Sequence, residues 1–362
     1  MMAKSINEPI PVILTGIGGG GHGEQILKAL RLGEKKYRII GTDINPACAN
    51  RHDVDEFHLA PLARDEGYLA FLLELARAKK CIALFHGSEP EMLVMSKARD
   101  QLEADGLYVP VNPPSVMDIC QDKVRTTQHL EKNGFAHPAF LKIASVNDLA
   151  KFDRFPAILK PSVGGGGSAD VFIAQNPEEL DLFGAYLLKT HSAFVVQEYV
   201  GTPDDEYTVG VLFDRSGELL NSIAIKRTIN SALTIRTRVP NRTGREELGK
   251  MLVVSSGISQ GEVGDWPEIR AQCEAIAQSL NPSAPVNVQC RVVEGKVIPF
   301  EINPRFSGTT SLRAMAGYNE PDVLIRKDVL GEKIATRLPY RHITILRGLR
   351  EVVMDAQKER SE

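Results

Sequence analysis

The chain has 362 residues, of which 43% are hydrophobic and 25% charged, with a formal net charge of −3. That length admits two or three domains with substantial cores. The charge balance speaks against broad nucleic-acid binding, which needs clustered Lys and Arg to neutralise phosphates. Cys48, Cys81, Cys120, Cys273 and Cys290 are scattered without a C-x-x-C pair, so neither a disulfide framework nor a zinc site is expected. The start MMAKSINEP has no signal-peptide core, and no apolar run nears the ~18 residues that span a bilayer. A cytoplasmic protein without nucleic-acid or membrane partners is the expectation.

From Pro9 to about Pro110, short apolar runs alternate with helical stretches. PVILTG, YRIIGTD and CIALFHG read as buried strands, with GEQILKALRLG and DEGYLAFLLELARAKK as helices between them. Such alternation implies βαβ units and a parallel sheet. The three prolines of YVPVNPPS set a boundary, giving a Rossmann-like domain over 1–113. A small lobe follows over 114–190. Its segment SVMDICQDKVRTTQHLEKNG reads as one helix closed by Gly134. ILKP and ADVFIA read as strands paired across the glycine run. A large lobe over 191–335 carries successive strands, with hairpin gaps such as DRSGE, and a helix that Asp265 can cap. The tail over 336–362 reads as strand and helix. The fold class is therefore α/β and α+β.

Three stretches carry chemistry. In PFEINPRFSGTT, Glu301 and Asn303 lie two apart and share a strand face, with Arg305 beyond Pro304. A carboxylate, an amide oxygen and a guanidinium facing one way suit Mg²⁺ and a phosphate, and Gln289 on the partner strand adds an oxygen. The plain alternative is a surface strand end. In ILKPSVGGGGS, Lys160 ends an apolar strand, and Gly164, Gly165, Gly166 and Gly167 offer bare backbone N–H groups to phosphates. No G-K-[ST] follows, so this is not a Walker loop. In QEYVGTPDDEYTV, Glu198 and the Val200 backbone can serve a nucleotide base, and Glu206 a ribose.

The ordered set of Lys123, Lys160 with its glycine loop, Glu198, Glu206, Gln289 and Glu301-Asn303-Arg305 resembles the ATP-grasp superfamily. The phrasing NVQ…FEINPR is most similar to one ATP-binding half of the carbamoyl-phosphate synthetase large subunit. The resemblance implies an N-terminal Rossmann-like domain followed by a two-lobed ATP-grasp module. It implies Lys123 and Lys160 as cations on the ATP phosphates, and Gly164 to Gly167 as the covering loop. Glu198 and Val200 become the adenine hinge, and Glu206 the ribose contact. Gln289, Glu301 and Asn303 become ligands of two Mg²⁺ ions, with Mn²⁺ as a substitute. Arg305 becomes the residue that steadies an acyl phosphate, with Lys160 and Asn303 beside it in catalysis.

The implied chemistry is an ATP-dependent ligation of a small-molecule carboxylate to an amine, with ADP and phosphate released. Kinase or carbamoyl-phosphate-type activity, an ATP-binding regulatory module and an NAD-dependent oxidoreductase are the alternatives. The last rests on Gly16, Gly18 and Gly21 in G-x-G-x-x-G and on Asp43 after the second strand. With one ATP-grasp unit, full carbamoyl-phosphate synthesis is not expected. Arg227, Arg236, Arg238 and Arg242 suggest an anionic substrate, and Arg313 is a further candidate anion contact. His22 lies in the glycine turn, where it can meet a substrate or solvent. A homodimer is expected by analogy with similar proteins.

Overall fold

The computed structural model describes residues 8–164 and 170–350. They fall into two compact units. The first comprises 8–110 with 319–333 and 346–350, and the second the remaining described residues. Boundaries at 113, 190 and 335 cut the chain contiguously; the compact units are not contiguous.

In the first unit, β1 (Ile10–Leu14), β2 (Tyr37–Asp43), β3 (Glu56–Leu59) and β4 (Ala83–Phe85) form a parallel sheet in the order β3-β2-β1-β4. Helices α1 (His22–Arg31), α2 (Tyr68–Lys79), α3 (Glu89–Lys97) and α4 (Arg99–Ala104) intervene or follow. β3 escapes sequence inspection because EFHL has no apolar run and is only partly covered. The β1–α1 turn is sterically forced. Gly16 adopts φ +53, and a Cβ on Gly87 would stand 1.9 Å from the Thr15 carbonyl oxygen. The returning segment is held by Tyr37, whose hydroxyl donates to Asp322 Oδ1 at 2.7 Å, and by Asn319, whose amide donates to the Ala29 carbonyl.

The second unit opens with α5 (Pro114–Cys120) and α6 (Lys123–Lys132). The single helix expected here is broken. Asp122 Oδ1 accepts from the Val124 N–H at 2.9 Å and from Ser162 Oγ at 2.6 Å, so a new helix starts at Lys123. β5 (Phe140–Ile143), β6 (Ala157–Pro161), β7 (Phe172–Ala174) and β8 (Phe194–Glu198) form an antiparallel sheet in the order β5-β8-β6-β7. β6 and β7 pair across the glycine run as expected. Helix α7 (Pro177–Thr190) packs on the face that carries Ala157 and Leu159.

A larger sheet follows, built from β9 (Glu206–Phe213) and β10 (Leu219–Arg227) with β13 (Gly261–Gly264), β14 (Val286–Val293), β15 (Lys296–Asn303) and β16 (Ile343–Ile345). Its order is β15-β14-β9-β10-β13-β16. β11 (Ile235–Pro240) and β12 (Met251–Ser255) do not join it; they pair with each other. Helix α8 (Pro267–Gln278) covers one face of the large sheet through Ile269, Cys273 and Ile276. Its cap position is Trp266 without a side-chain bond, and Asp265 instead accepts from Arg270 at 3.0 Å. Helix α9 (Thr310–Met315) follows β15. Residues 346–350 are irregular, and the tail helix expected at 351–362 lies outside the described residues.

One irregularity in β15 sets the site. Val297 and Ile302 both lie in the core, although five positions separate them. Strict alternation would send them to opposite faces. The register runs Gln289↔Glu301 and then Cys290↔Pro299, which skips Phe300. This bulge resets the alternation, so Glu301 and Asn303 share the face opposite the core, and it leaves the Phe300 carbonyl outside the ladder.

Gly87→Ala is expected to lower stability by about 2–3 kcal/mol, because backbone must move to admit the methyl group. Gly67 has φ −79, and a Cβ there would meet no atom within 4 Å beyond its chain neighbours. Gly67→Ala should therefore be neutral or stabilising by about 0.5 kcal/mol. Urea melts of both variants check this; equal effects would contradict the steric account of the turn.

Candidate active site

Lys160 and Lys123 reach the same region from different elements. Lys160 is on β6, only 7% exposed, and its ammonium donates to the Phe300 carbonyl at 2.8 Å. The bulge in β15 supplies that acceptor. Burial, reinforced by repulsion from Lys123 and opposed by Glu301, pushes the Lys160 pKa down to about 7. Lys123 is the first residue of α6, where its Nζ donates to the Gly164 carbonyl at 3.0 Å. The Lys123 N–H donates to the Ser162 carbonyl, which ties the helix start to the end of β6. Two cations therefore stand at the mouth of the glycine run. Gly165, Gly166 and Gly167 lie outside the described residues.

Opposite them is the polar face of the β14–β15 hairpin. Gln289 pairs directly with Glu301, and Asn287 with Asn303. Directly opposed residues have Cβ atoms about 5 Å apart. The Glu301 carboxylate makes no hydrogen bond or ion pair with a described residue, although its charge acts on Lys160 and Arg227. Asn303 is 5% exposed, and its side-chain nitrogen has no partner among the described residues. A buried amide without a partner is costly unless a ligand completes it. Side-chain oxygens from Gln289, Glu301 and Asn303 thus share one face, with a single carboxylate among them. That donor set fits a hard cation that draws its remaining ligands from water and phosphate. Among the described residues, no group of three His, Cys, Asp or Glu could hold a metal without such help.

The residues expected on the base and ribose side are in a different condition. Glu198 is ion-paired with Arg245 at 2.9 Å. The Val200 carbonyl accepts from Arg291 at 3.2 Å, while the Val200 N–H donates to no described residue. Glu206 is 1% exposed, with one carboxylate oxygen bonded to Arg227 and Ser255 and the other to Arg291. A ribose role would require this network to release an oxygen. Arg291 and Ser255 were not singled out from the sequence. Arg291 follows Gln289 by two positions, so strand periodicity alone could have placed it on the polar face.

Arg305 is adjacent to the donor set, and its N–H and one guanidinium nitrogen bond the Asn303 and Phe306 carbonyls. Arg313 is buried and donates to Asn287 Oδ1. Of the four arginines at 227–242, Arg227 is buried in the Glu206 network and Arg242 pairs with Glu179. Arg236 and Arg238 are exposed on one face of β11. In the first unit, His22 is buried against His86, with ring nitrogens 3.2 Å apart, so it is not a solvated loop residue. Asp43 accepts from the Gly18 N–H at 2.8 Å and from Asn45, which makes this acid a brace for the turn.

Two family models match the chain. A PylC-like N-terminal domain covers residues 14–110, and "ATP-grasp in the biosynthetic pathway with Ter operon" covers 249–348. Over 306 residues the chain is 24% identical to the carbamoyl phosphate synthase large chain of Mesorhizobium japonicum, covering 78% of this chain and 25% of that protein. It thus spans about a quarter of the length of the relatives it matches. The biotin carboxylase domain of Hydrogenobacter thermophilus 2-oxoglutarate carboxylase, solved with MgADP, superposes with TM-score 0.61 at 16% identity, over 92% of this chain and 72% of that one. D-alanine–D-alanine ligase from Bacillus anthracis, complexed with ATP, gives 0.55 at 17% identity over 89% and 97%. Residues 249–348 thus match an ATP-grasp family and residues 14–110 a PylC-like N-terminal domain, the fold is shared with the solved structures named above, and the chain resembles a part of the carbamoyl phosphate synthase large chain.

Proposed function

We propose that the chain is an ATP-dependent ligase that joins a small-molecule carboxylate to an amine through an acyl phosphate. The observation that carries this reading is the convergence of Lys160 and Lys123 on the hairpin face that presents an unpaired Glu301 carboxylate and an orphaned Asn303 amide. In this reading the two lysines serve the phosphates and the hairpin oxygens beside them serve a metal. The relatives named above, which include a ligase complexed with ATP and a domain with MgADP, support the same assignment.

Phosphoryl transfer is mostly positioning and charge neutralisation. Lys160 and Lys123 hold phosphate oxygens by charge. Gln289, Glu301 and Asn303 would hold one or two Mg²⁺ ions, with Mn²⁺ as a substitute; the ion supplies neutralisation of phosphate charge. A carboxylate oxygen attacks the γ-phosphorus, and the bond to the bridging oxygen breaks as ADP leaves. Arg305 steadies the acyl phosphate. The amine nitrogen then attacks the acyl carbon, loses a proton and expels phosphate. At least one substrate is anionic, with exposed Arg236 and Arg238 available to meet it. A homodimer in the cytoplasm completes the proposal.

ADP release measured across acid and amine pairs should require both partners. Release with an acid alone would reassign the chain as a kinase, and a melting temperature raised by NADH but not by ATP with Mg²⁺ would revive the oxidoreductase. Glu301→Gln should cut kcat/KM by about a hundredfold or more, while the unliganded chain still melts cooperatively. Near-normal turnover would remove Glu301 from the metal set.

Lys160 gives a stability test with a defined sign. Its pKa is about 7 when folded and near 10.5 when unfolded. Between those values the unfolded chain binds more protons, so this residue's contribution makes stability rise with pH. Lys160→Met should therefore stabilise the chain more at pH 6 than at pH 10. A gain independent of pH, measured by urea melts, would mean that the ammonium is not buried.

A further inference from the structure

The base side of the proposed site is covered by one continuous piece of the chain. Ile158 lies two residues before Lys160 on β6, so both face the same way, and Ile173 of β7 is its direct partner. This apolar platform, next to the lysine and the hinge, is packed by Leu252, Val239 and Val254 of the β11–β12 hairpin, with Leu248 from its loop. Leu252 is 0% exposed.

The same segment takes the polar groups around the platform. Arg245 neutralises Glu198, and Ser255 donates to Glu206 at 2.6 Å. Val253 bonds the Tyr199 hydroxyl through both its N–H and its carbonyl, at 2.9 and 3.2 Å, and that carbonyl also accepts from Arg291. The far end is clamped through Gln175, which donates to the Pro240 carbonyl and accepts from the Arg242 N–H. Every group assigned to the base or ribose, except the Val200 N–H, thus already has a partner; Arg245 and Ser255 come from residues 235–255, and Arg227 and Arg291 from the large sheet. Among the described residues, no hydrogen bond or ion pair joins this segment to Lys123, Lys160, Gln289, Glu301 or Asn303.

We infer that residues 235–255 form an autoinhibitory strap that must lift from the Ile158–Ile173 platform before a nucleoside base can enter. The inference rests on the proposed nucleotide site. It makes the observed arrangement the closed state, whose population lowers apparent nucleotide affinity by the open fraction. Arg245 is a latch within the strap and not a ligand-binding group.

The test uses the full chain with Mg²⁺ and ADP. Calorimetry measures affinity, and hydrogen exchange follows the amides of 235–255 with and without saturating nucleotide. The expected result is faster exchange in the strap on binding, and about tenfold tighter binding by Arg245→Ala than by wild type. Leu252→Ala should act in the same direction; Arg245→Ala, a change at a partly exposed ion pair, keeps the test valid if Leu252→Ala does not fold. Binding with unchanged or slower strap exchange, and no gain in Arg245→Ala, overturns the strap alone. Absence of binding by wild type and by Arg245→Ala overturns the nucleotide site and the strap with it.

Discussion

The contact between the Lys160 ammonium and the Phe300 carbonyl joins the two sheets of the second unit at the point where chemistry is expected. It depends on a bulge that frees one carbonyl and sets the face shared by Glu301 and Asn303 opposite the core. A buried ammonium with a carbonyl as its main partner is an unstable solution by itself. The lowered pKa limits that cost by letting the amine shed its proton, and under the proposed function a polyanion would restore the charged form.

A second constraint works against the first. Glu206 is shared between Arg227, Arg291 and Ser255, which knits the large sheet to the β11–β12 hairpin and the hinge after β8. Removal of Glu206 would leave two buried guanidinium groups without their carboxylate, which is far more destabilising than loss of a surface pair. The network therefore behaves as a unit. The site has a receptive half, with orphaned polar groups, and a self-satisfied half, and the strap account follows from that asymmetry.

The first unit shows how one sequence signature can arise from a different physical need. The glycines at 16 to 21 and the acid at 43 meet the spacing of a dinucleotide fingerprint. In the fold, Asp43 braces the Gly18 N–H, and Gly16 and Gly87 permit close backbone crossing. Steric demands at a strand-to-helix turn are enough to select these residues.

The sequence by itself determined the alternation that makes the first sheet parallel, the pairing of β6 with β7, and the shared face of Glu301 and Asn303. Each follows from local periodicity, which depends only on neighbours along the chain. It did not reveal the break at Asp122, whose cap partner Ser162 is 40 residues away. Nor did it show the return of 319–333 to the first unit, or the occupation of Glu206 by two arginines. Those were decided by tertiary structure, because a buried charge must find its counter-charge wherever the fold brings one, at separations that no local pattern records.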